Sequence, residues 1–312
     1  MRGIIGRICC VGAALCLILG LCTSFSQYCL MSARSSCASA QGQICKNLES
    51  TLNLLEVISQ EQWMLPGDIP YQEKAGRLDH YNEIWGYRMI RSVDTSGGVY
   101  RADHGEAVSN LNSREYIQSL WVTGRPQITD AFLAGADGTT LNYTVAVAVA
   151  GNARENGAVF AAIDDNEVRA VLGSQPMHTI LLGKKQQCMS GNDESLLGVT
   201  LESRLSGRRI IGGSLESTLL RVKNEESGSF WFFDGFMPTC YAFQNVGLDS
   251  GWTVLTSVSF AEAARELRPA ILSAAVGVIL SLAAFALFGR GDWDGGAEGI
   301  QNHAAKDTER KS

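Results

Sequence analysis

Two long apolar stretches stand near the ends of the chain, and the segment between them mixes apolar and polar positions. Residues 8–25 and residues 269–289 contain no charged side chain. A helix of this length and character can cross a bilayer core about 30 Å thick. Arg2 and Arg7 precede the first run, and Arg290 follows the second. Because basic residues favour the cytoplasmic side of a membrane, this pattern predicts two cytoplasmic termini and an extracytoplasmic middle region.

The first apolar run also has an alternative interpretation, as a secretory signal that is cleaved. Ala38, Ser39 and Ala40 form a small-residue pattern of the kind found at cleavage sites. That pattern lies far beyond the end of the apolar core, so an uncleaved membrane helix is favoured.

A long helix is predicted for residues 32–64, because apolar residues recur there at helical spacing. The stripe consists of Leu48, Leu52, Leu55, Ile58 and Trp63. Cys37 and Cys45 lie eight positions apart on this helix, which separates them by about 12 Å. They are therefore not expected to bond to each other, although either could link two copies of the chain.

The middle of the chain reads as short strands and helices separated by glycine-rich turns. In the first half, strands are predicted over residues 89–93, 99–101, 127–132, 142–149 and 157–163, with helices over 112–121 and 164–172. In the second half, strands are predicted over residues 178–182, 229–233, 240–246 and 252–258, with helices over 200–205 and 260–268. Asn112 or Ser113 is expected to cap the 112–121 helix. The order indicates an α+β fold of the PAS-like kind, with helices packed on antiparallel sheets.

Candidate chemistry concentrates at the 112–121 helix and the strands that follow it. The pattern places Arg114, Tyr116 and Trp121 beside a sheet face, where a guanidinium, a phenol and an indole can form a cleft for a small anion. The alternative is that Arg114 caps or pairs locally and that the aromatic rings belong to the core.

Composition and motifs exclude several classes of function. The net charge is -6, and no Lys/Arg cluster interleaves with aromatic residues, so no nucleic-acid partner is expected. The four histidines are scattered, and C-x-x-C, H-E-x-x-H, P-loop and G-x-G-x-x-G motifs are absent from the sequence. We therefore predict no metal, no cofactor and no catalytic residues.

The order of short motifs resembles the double Cache extracytoplasmic sensor domains of bacterial chemoreceptors, sensor kinases and diguanylate cyclases. The matching pieces are Asp94 with Gly97 and Gly98, the run from Leu111 to Tyr116, Gly124, the 145–149 strand, Gly157 with Val159, Asp164, and Gly251 with Trp252. The match covers residues 32–269. It implies a long helix followed by two PAS-like (Cache) modules, flanked by two transmembrane helices.

The resemblance also implies a ligand site in the membrane-distal module. It assigns a pocket role to Arg114, Tyr116 and Trp121, and extends that role to Thr129, Asp130, Tyr143 and Asp164. The amino-acid-binding branch of the family carries an Arg-x-Trp-Tyr run, which this sequence lacks, and Asp164 sits late for that branch's amine-binding aspartate. A carboxylate or other small anion is therefore expected as the ligand, rather than an α-amino acid.

Cys188 and Cys240 fall outside the membrane in this topology, in a compartment that permits disulfides. Two outcomes are open for them. A bond between them would add roughly 4 kcal/mol of stability by the chain-entropy argument. Otherwise they are two buried free thiols.

These inferences define a two-pass plasma-membrane sensor that is not an enzyme. The tail after the second apolar run lacks an apolar period and leaves no room for an output domain. The sensor is thus expected to be a homodimer that signals through a separate kinase, cyclase or chemoreceptor-type protein. Two alternatives remain, a structural or interaction module of an envelope complex with a relic pocket, and an extracytoplasmic hydrolase.

The predicted segments are the cytoplasmic N-terminus (1–7), the first membrane helix (8–30), the connecting helix (31–65), the distal module (66–173), the proximal module (174–268), the second membrane helix (269–289) and a disordered tail (290–312).

Overall fold

The computed structural model describes residues 2–133, 141–269, 271–273 and 275–279. The predicted tail, much of the second apolar run and the turn expected between the 127–132 and 142–149 strands lie outside the described residues. Across the described ranges, no helix combines the length and apolar character that a membrane span requires. The two membrane helices therefore stay predictions.

A single helix, α1 (Arg2–Ser59), forms the spine of the fold. It is followed by a short 3₁₀ helix (Gln62–Met64). The observed α-helix therefore begins well before the predicted range of residues 32–64 and ends a few residues before that range does. One face of α1 is buried at spacings of three and four residues, as an amphipathic helix requires. The buried residues include Cys29, Ala33, Cys37, Ala40, Ile44, Leu48, Leu55 and Ile58. This face packs against both sheets of the protein.

The first sheet contains seven antiparallel strands in the order β3-β2-β1-β7-β6-β4, with β5 also paired to β6. Its strands are β1 (Met89–Val93), β2 (Gly98–Arg101), β3 (His104–Asn110), β4 (Gln127–Ile128), β5 (Phe132–Leu133), β6 (Leu141–Ala148) and β7 (Ala158–Asp164). The helices of this part are α2 (Tyr71–Trp85), α3 (Glu115–Thr123) and α4 (Ala153–Asn156).

The second sheet contains six antiparallel strands in the order β10-β11-β12-β13-β8-β9. Its strands are β8 (His178–Leu182), β9 (Cys188–Gly191), β10 (Arg209–Ile211), β11 (Ser227–Asp234), β12 (Met237–Asn245) and β13 (Thr253–Ser259). The helices of this part are α5 (Asn166–Gly173), α6 (Leu201–Leu205), α7 (Leu215–Asn224) and α8 (Phe260–Glu266). By internal contacts the chain divides into one compact unit, Met1–Phe260, which holds both sheets, and a second unit, Ala261–Ser312.

Two local predictions were wrong, and one strand was not predicted. The strand expected over residues 127–132 is two short pieces, β4 and β5. The residue before α3 is Arg114 and it makes no side-chain capping bond, whereas Asn112 instead donates its backbone N–H to the Asn110 side chain. Strand β3 was missed because all seven of its residues are exposed, so it has no apolar alternation to detect.

The disulfide left open for Cys188 and Cys240 does not form in this fold. Both are free, buried thiols. Cys188 lies on β9 and Cys240 on β12, and β13 and β8 stand between them. Three strand spacings separate the two residues by about 14 Å, which is too far for a disulfide. Cys188 also belongs to the apolar cluster on one sheet face, whereas Cys240 shares its electrostatic surroundings with Cys29 of α1.

Burial also separates the reactive thiols from the inert ones. Cys37 is 1% exposed and donates to the Val254 carbonyl, and burial raises its pKa to about 12. Burial likewise raises the pKa of Cys188 to about 11 and that of Cys240 to about 12. Cys37 therefore cannot link two copies of the chain as expected, and Cys45, which is only partly buried, is the remaining candidate.

We expect Cys45 to react with a maleimide faster than the other three cysteines of a folded protein spanning residues 35–267, because those three are buried. Burial and Glu49 raise the pKa of Cys45 as well, so accessibility rather than ionisation sets the difference, and Cys45→Ser should remove the fast adduct. The measurement is a mass-spectrometric count of adducts, with the urea-unfolded protein as the control that exposes all four. Fast labelling of Cys37 in the folded protein would contradict the position of α1 against the second sheet.

Candidate functional site

A cavity of about 480 Å³ lies on the face of the first sheet beside the start of α3. Its wall is largely apolar and comes from six strands, from the segment that leads into α3 and from the first turn of that helix. The apolar wall residues are Met89, Val99, Val108, Leu111, Phe132, Phe160 and Ala162. The polar residues at the cavity are Arg88, Ser109, Arg114, Tyr116, Asn142 and Thr144. A mostly apolar wall with a few converging polar groups is typical of small-molecule sites.

The central strands build this cavity by alternation. In β6 and β7, Asn142, Thr144, Phe160 and Ala162 all lie on the cavity side, and Thr144 pairs directly with Ala162. Because successive side chains of a strand point to opposite faces, the residues between them turn towards the other side of the sheet. The small side chain of Ala162 leaves space at the cavity floor.

The hairpin between β1 and β2 forms another part of the wall, and Asp94 organises its turn. The Asp94 carboxylate accepts hydrogen bonds from the Ser96 and Gly98 backbone N–H groups and from the Tyr100 hydroxyl, the last at 2.6 Å. Burial alone would raise the pKa of Asp94, but these hydrogen bonds lower it below its usual value. The motif containing Asp94, Gly97 and Gly98 is therefore a structural support for the strands that line the cavity.

Arg114 is an exposed residue at the cavity, directly before the first turn of α3. Among the ion pairs of the described residues, none involves its guanidinium. Among the described residues that line the cavity, none carries a carboxylate. An arginine that is not neutralised by the protein can offer its paired N–H groups to an anionic ligand.

Tyr116 follows on the first turn of α3 and supplies a hydroxyl group. Burial raises the pKa of Tyr116 to about 12, and the Arg114 charge acts in the opposite direction. The phenol therefore stays protonated at physiological pH and can act as a hydrogen-bond donor. Arg114, directly before α3, and Tyr116, in its first turn, stand at the same end of the helix.

Asn142 is a cavity residue that the sequence analysis missed. Its side chain is 3% exposed, and its Oδ1 atom has no hydrogen-bond partner within the described structure. A buried amide oxygen without a partner is costly, and at a binding site it is a candidate acceptor for a ligand. Asn142 and Thr144 are two positions apart on β6, so alternation puts them on the same face of the sheet. The sequence would have indicated Asn142 only if the cavity side of Thr144 had been known.

The structure separates the other predicted site residues from the cavity. Trp121 packs with Ile117 and Leu120 in the apolar cluster under α3, and Thr129 accepts a hydrogen bond from the Thr144 backbone N–H. Neither of these two residues lines the cavity.

Asp130, Tyr143 and Asp164 also lie elsewhere. Asp130 accepts hydrogen bonds from the Lys184 backbone N–H and the Trp252 indole N–H, so it ties the first sheet to the second part of the molecule. Tyr143 packs edge-on against Trp252 at 5.2 Å between ring centroids, on the opposite face of β6 from the cavity. Asp164 ends β7, pairs in register with Asn142 and accepts from the Asn166 backbone N–H, which places it next to the cavity but not in its lining.

A larger hollow of about 890 Å³ lies along α2 and is lined by Trp63, Gln72, Arg77 and His80, among others. Its arginine is already paired, because Arg77 bonds to Glu73 at 2.8 Å. The smaller cavity beside α3 is therefore the better candidate for an anion site.

Comparison with known proteins identifies the fold. The ligand-binding domain of the Campylobacter jejuni chemoreceptor Tlp3 with isoleucine bound superposes with a TM-score of 0.58 at 13% identity, over 77% of this chain and 96% of that one. The ligand-binding domain of the Pseudomonas fluorescens chemoreceptor CtaA in complex with L-isoleucine gives 0.58 at 13% identity, over 80% and 98%. That of the Pseudomonas aeruginosa amino acid chemoreceptor PctC in complex with GABA gives 0.55 at 16% identity, over 71% and 96%.

These domains are double Cache sensor domains, so the resemblance inferred from the motifs is confirmed at the level of the fold. The identities are too low for the likeness to show more than the fold. No protein-family model matches the chain, and no curated protein does.

Proposed function

We propose that residues 32–268 form an extracytoplasmic sensor module that binds a small carboxylate in the cavity beside α3. The observation that supports this most directly is that Arg114 lines a cavity whose other described lining residues include no carboxylate. In this proposal the two apolar runs anchor the module in the plasma membrane, and both termini lie in the cytoplasm.

The cavity chemistry favours a carboxylate that carries an apolar part. A guanidinium can bind a carboxylate with two parallel hydrogen bonds, and the Tyr116 hydroxyl adds a third donor. The wall formed by Met89, Val99 and Phe160 accommodates a short apolar tail. The volume of about 480 Å³ is within the range of small-molecule sites.

The solved neighbours bind isoleucine, leucine and GABA, each of which carries a carboxylate and an amino group. In this chain the lining residues that the structure describes offer no carboxylate to hold an ammonium group, and Asp164 stands just outside the lining. These features support an organic acid without an α-amino group as the ligand.

The module passes its state to a separate signalling protein of the kinase, cyclase or chemoreceptor type, and works as a homodimer. The continuous α1 helix contacts both sheets, so a change at the first sheet can reach the base of the helix. Trp121 does not fill the cavity, which supports a sensor over an envelope module with a relic pocket. In the extracytoplasmic part of α1, Cys45 is the partly buried thiol available for crosslinking two copies.

We expect a thermal-shift screen of small organic acids against residues 35–267 to yield a stabilising ligand that Arg114→Ala no longer binds. At a hundred times its dissociation constant, a ligand adds about 2.7 kcal/mol to the free energy of unfolding, and the variant should lose this gain. The melting temperature without ligand should stay nearly unchanged, because Arg114 has no ion pair among the described residues.

Arg125→Ala is the matched control, since Arg125 is also exposed and near α3 but does not line the cavity. It should retain the full ligand-induced shift. Retention of that shift in Arg114→Ala, or a screen without any stabilising acid, would refute the proposed site.

A further inference from the structure

The hairpin that joins β11 to β12 carries large apolar side chains at its tip. Phe236 is 98% exposed and Met237 is 51% exposed. Tight turns usually carry polar residues and glycine, and Asp234 and Gly235 follow that rule here. An exposed phenylalanine next to an exposed methionine at a hairpin tip indicates a surface that contacts another apolar surface.

Contacts with α1 define the height of this tip along the helix. Cys29 donates to the Ser259 carbonyl and Cys37 to the Val254 carbonyl. Between these contacts α1 advances about 12 Å, and β13 advances about 16 Å in the opposite chain direction. The ratio of these two distances shows that β13 is inclined to α1. A step along a strand of this sheet therefore corresponds to about three quarters of that distance along the helix axis.

The same relation locates the hairpin beyond Cys29. Thr239 pairs with Ser259, which puts it level with Cys29. Phe236 lies three residues further towards the tip, about 10 Å along the strand. This projects to about 7 Å along α1, or about five helical residues. The tip is thus level with Ser24, at the outer end of the uncharged run of residues 8–25.

The charges around the tip fit a lipid surface. Asp234 is the acidic residue of the turn, and Arg208 neutralises it at 3.0 Å. Arg209 is exposed and pairs in register with Phe233 on the neighbouring strand. The tip therefore presents apolar side chains and an arginine, Arg209, that forms no ion pair with the described residues, which suits the interface of a bilayer with anionic lipids.

We propose that the β11–β12 hairpin tip inserts Phe236 and Met237 into the outer bilayer interface and holds the second sheet against the membrane. This inference rests on the membrane anchoring in the proposed function. The hairpin then forms a second contact with lipid, besides the helix, and limits the tilt of the module relative to the bilayer.

The test uses the full chain in nanodiscs of phosphatidylethanolamine and phosphatidylglycerol, with the photocrosslinking substitution Phe236→p-benzoylphenylalanine. The matched control is Leu220→p-benzoylphenylalanine. Leu220 is an apolar residue that is 53% exposed, on α7. The neighbouring Leu219 carbonyl accepts from Gln186, which lies in the turn after β8 at the opposite end of the second sheet. After irradiation, adducts are identified by mass.

We expect lipid adducts at position 236 and none above background at position 220. The hairpin proposal is overturned if the chain resides in the discs but forms no lipid adducts at position 236, or forms protein adducts there instead. Either result leaves the proposed membrane anchoring intact. A chain that does not co-purify with the discs overturns the anchoring, and with it the hairpin proposal. The two failures are therefore distinguishable.

Discussion

Gly157→Ala is expected to lower the free energy of unfolding by about 3 kcal/mol or more. Gly157 adopts φ +83° and ψ -159°, a region that is essentially restricted to glycine. A Cβ atom at this position would lie 2.2 Å from the Val93 carbonyl oxygen. That oxygen belongs to β1, which pairs with β7 immediately after Gly157, so the clash can be relieved only by separating two central strands.

Gly151→Ala separates the two causes of the expected loss of stability at Gly157, which are the strained backbone conformation and the clash of the added Cβ atom with Val93. Gly151 also has a positive φ, +72°, but no atom lies within 4 Å of its added Cβ. It should lose only the conformational contribution, about 1–2 kcal/mol. Urea unfolding of residues 35–267 measures both variants, and equal losses in the two would show that the approach of β1 to Gly157 is not as close as described.

The Gly157→Ala substitution also bears on the candidate site. Met89 of β1 and Phe160 and Ala162 of β7 line the cavity, so separation of these strands opens its wall. A variant that remains folded should therefore bind the organic acid less tightly, although no residue of the lining has changed.

Asp130→Ala is expected to cost roughly 3 kcal/mol of stability, because it removes a charged acceptor that joins two parts of the molecule. Its carboxylate accepts from the Lys184 backbone N–H at 3.1 Å and from the Trp252 indole at 3.1 Å. Trp252 is 1% exposed, so its N–H group would be left buried without a partner. Urea unfolding with separate probes on the two sheets would measure the loss.

Asp130→Asn is the matched variant, since an amide oxygen can still accept the indole hydrogen bond. It should lose less stability than Asp130→Ala and should keep the ligand-induced thermal shift. If Asp130 were instead a ligand residue, as the family resemblance implied, Asp130→Asn would abolish the shift and leave the unliganded melting temperature unchanged.

Periodicity in the sequence was sufficient to predict most elements that have an apolar face. Strands β1, β7, β8 and β13 lie within two residues of their predicted bounds. The helical stripe of α1 is also present, because burial on one side of a helix repeats every three to four residues. Strands β3, β9 and β10 and helix α7 were missed. Strand β3 has no buried face, whereas α7 does bury Val222 against the second sheet's core cluster.

For the site, the sequence was sufficient to bring together Arg114 and Tyr116, which are close in the chain and share the start of α3. It was not sufficient for residues whose role depends on which sheet face packs against which helix. Strand β6 is buried at all but its first position, so both of its faces look apolar and alternation alone does not say which one meets α1.

The chain by itself therefore determined the α+β character, the long helix, the central strands and the Arg114–Tyr116 pair, since each depends on residues that are neighbours in sequence. Only the tertiary structure decided that Asn142 faces the cavity while Tyr143 faces Trp252, and that Asp130 links the two sheets. It also decided that Cys188 and Cys240 stay apart. The physical reason is that these arrangements depend on strand order and on the side of the sheet that α1 covers, which are set by packing between segments distant in the chain.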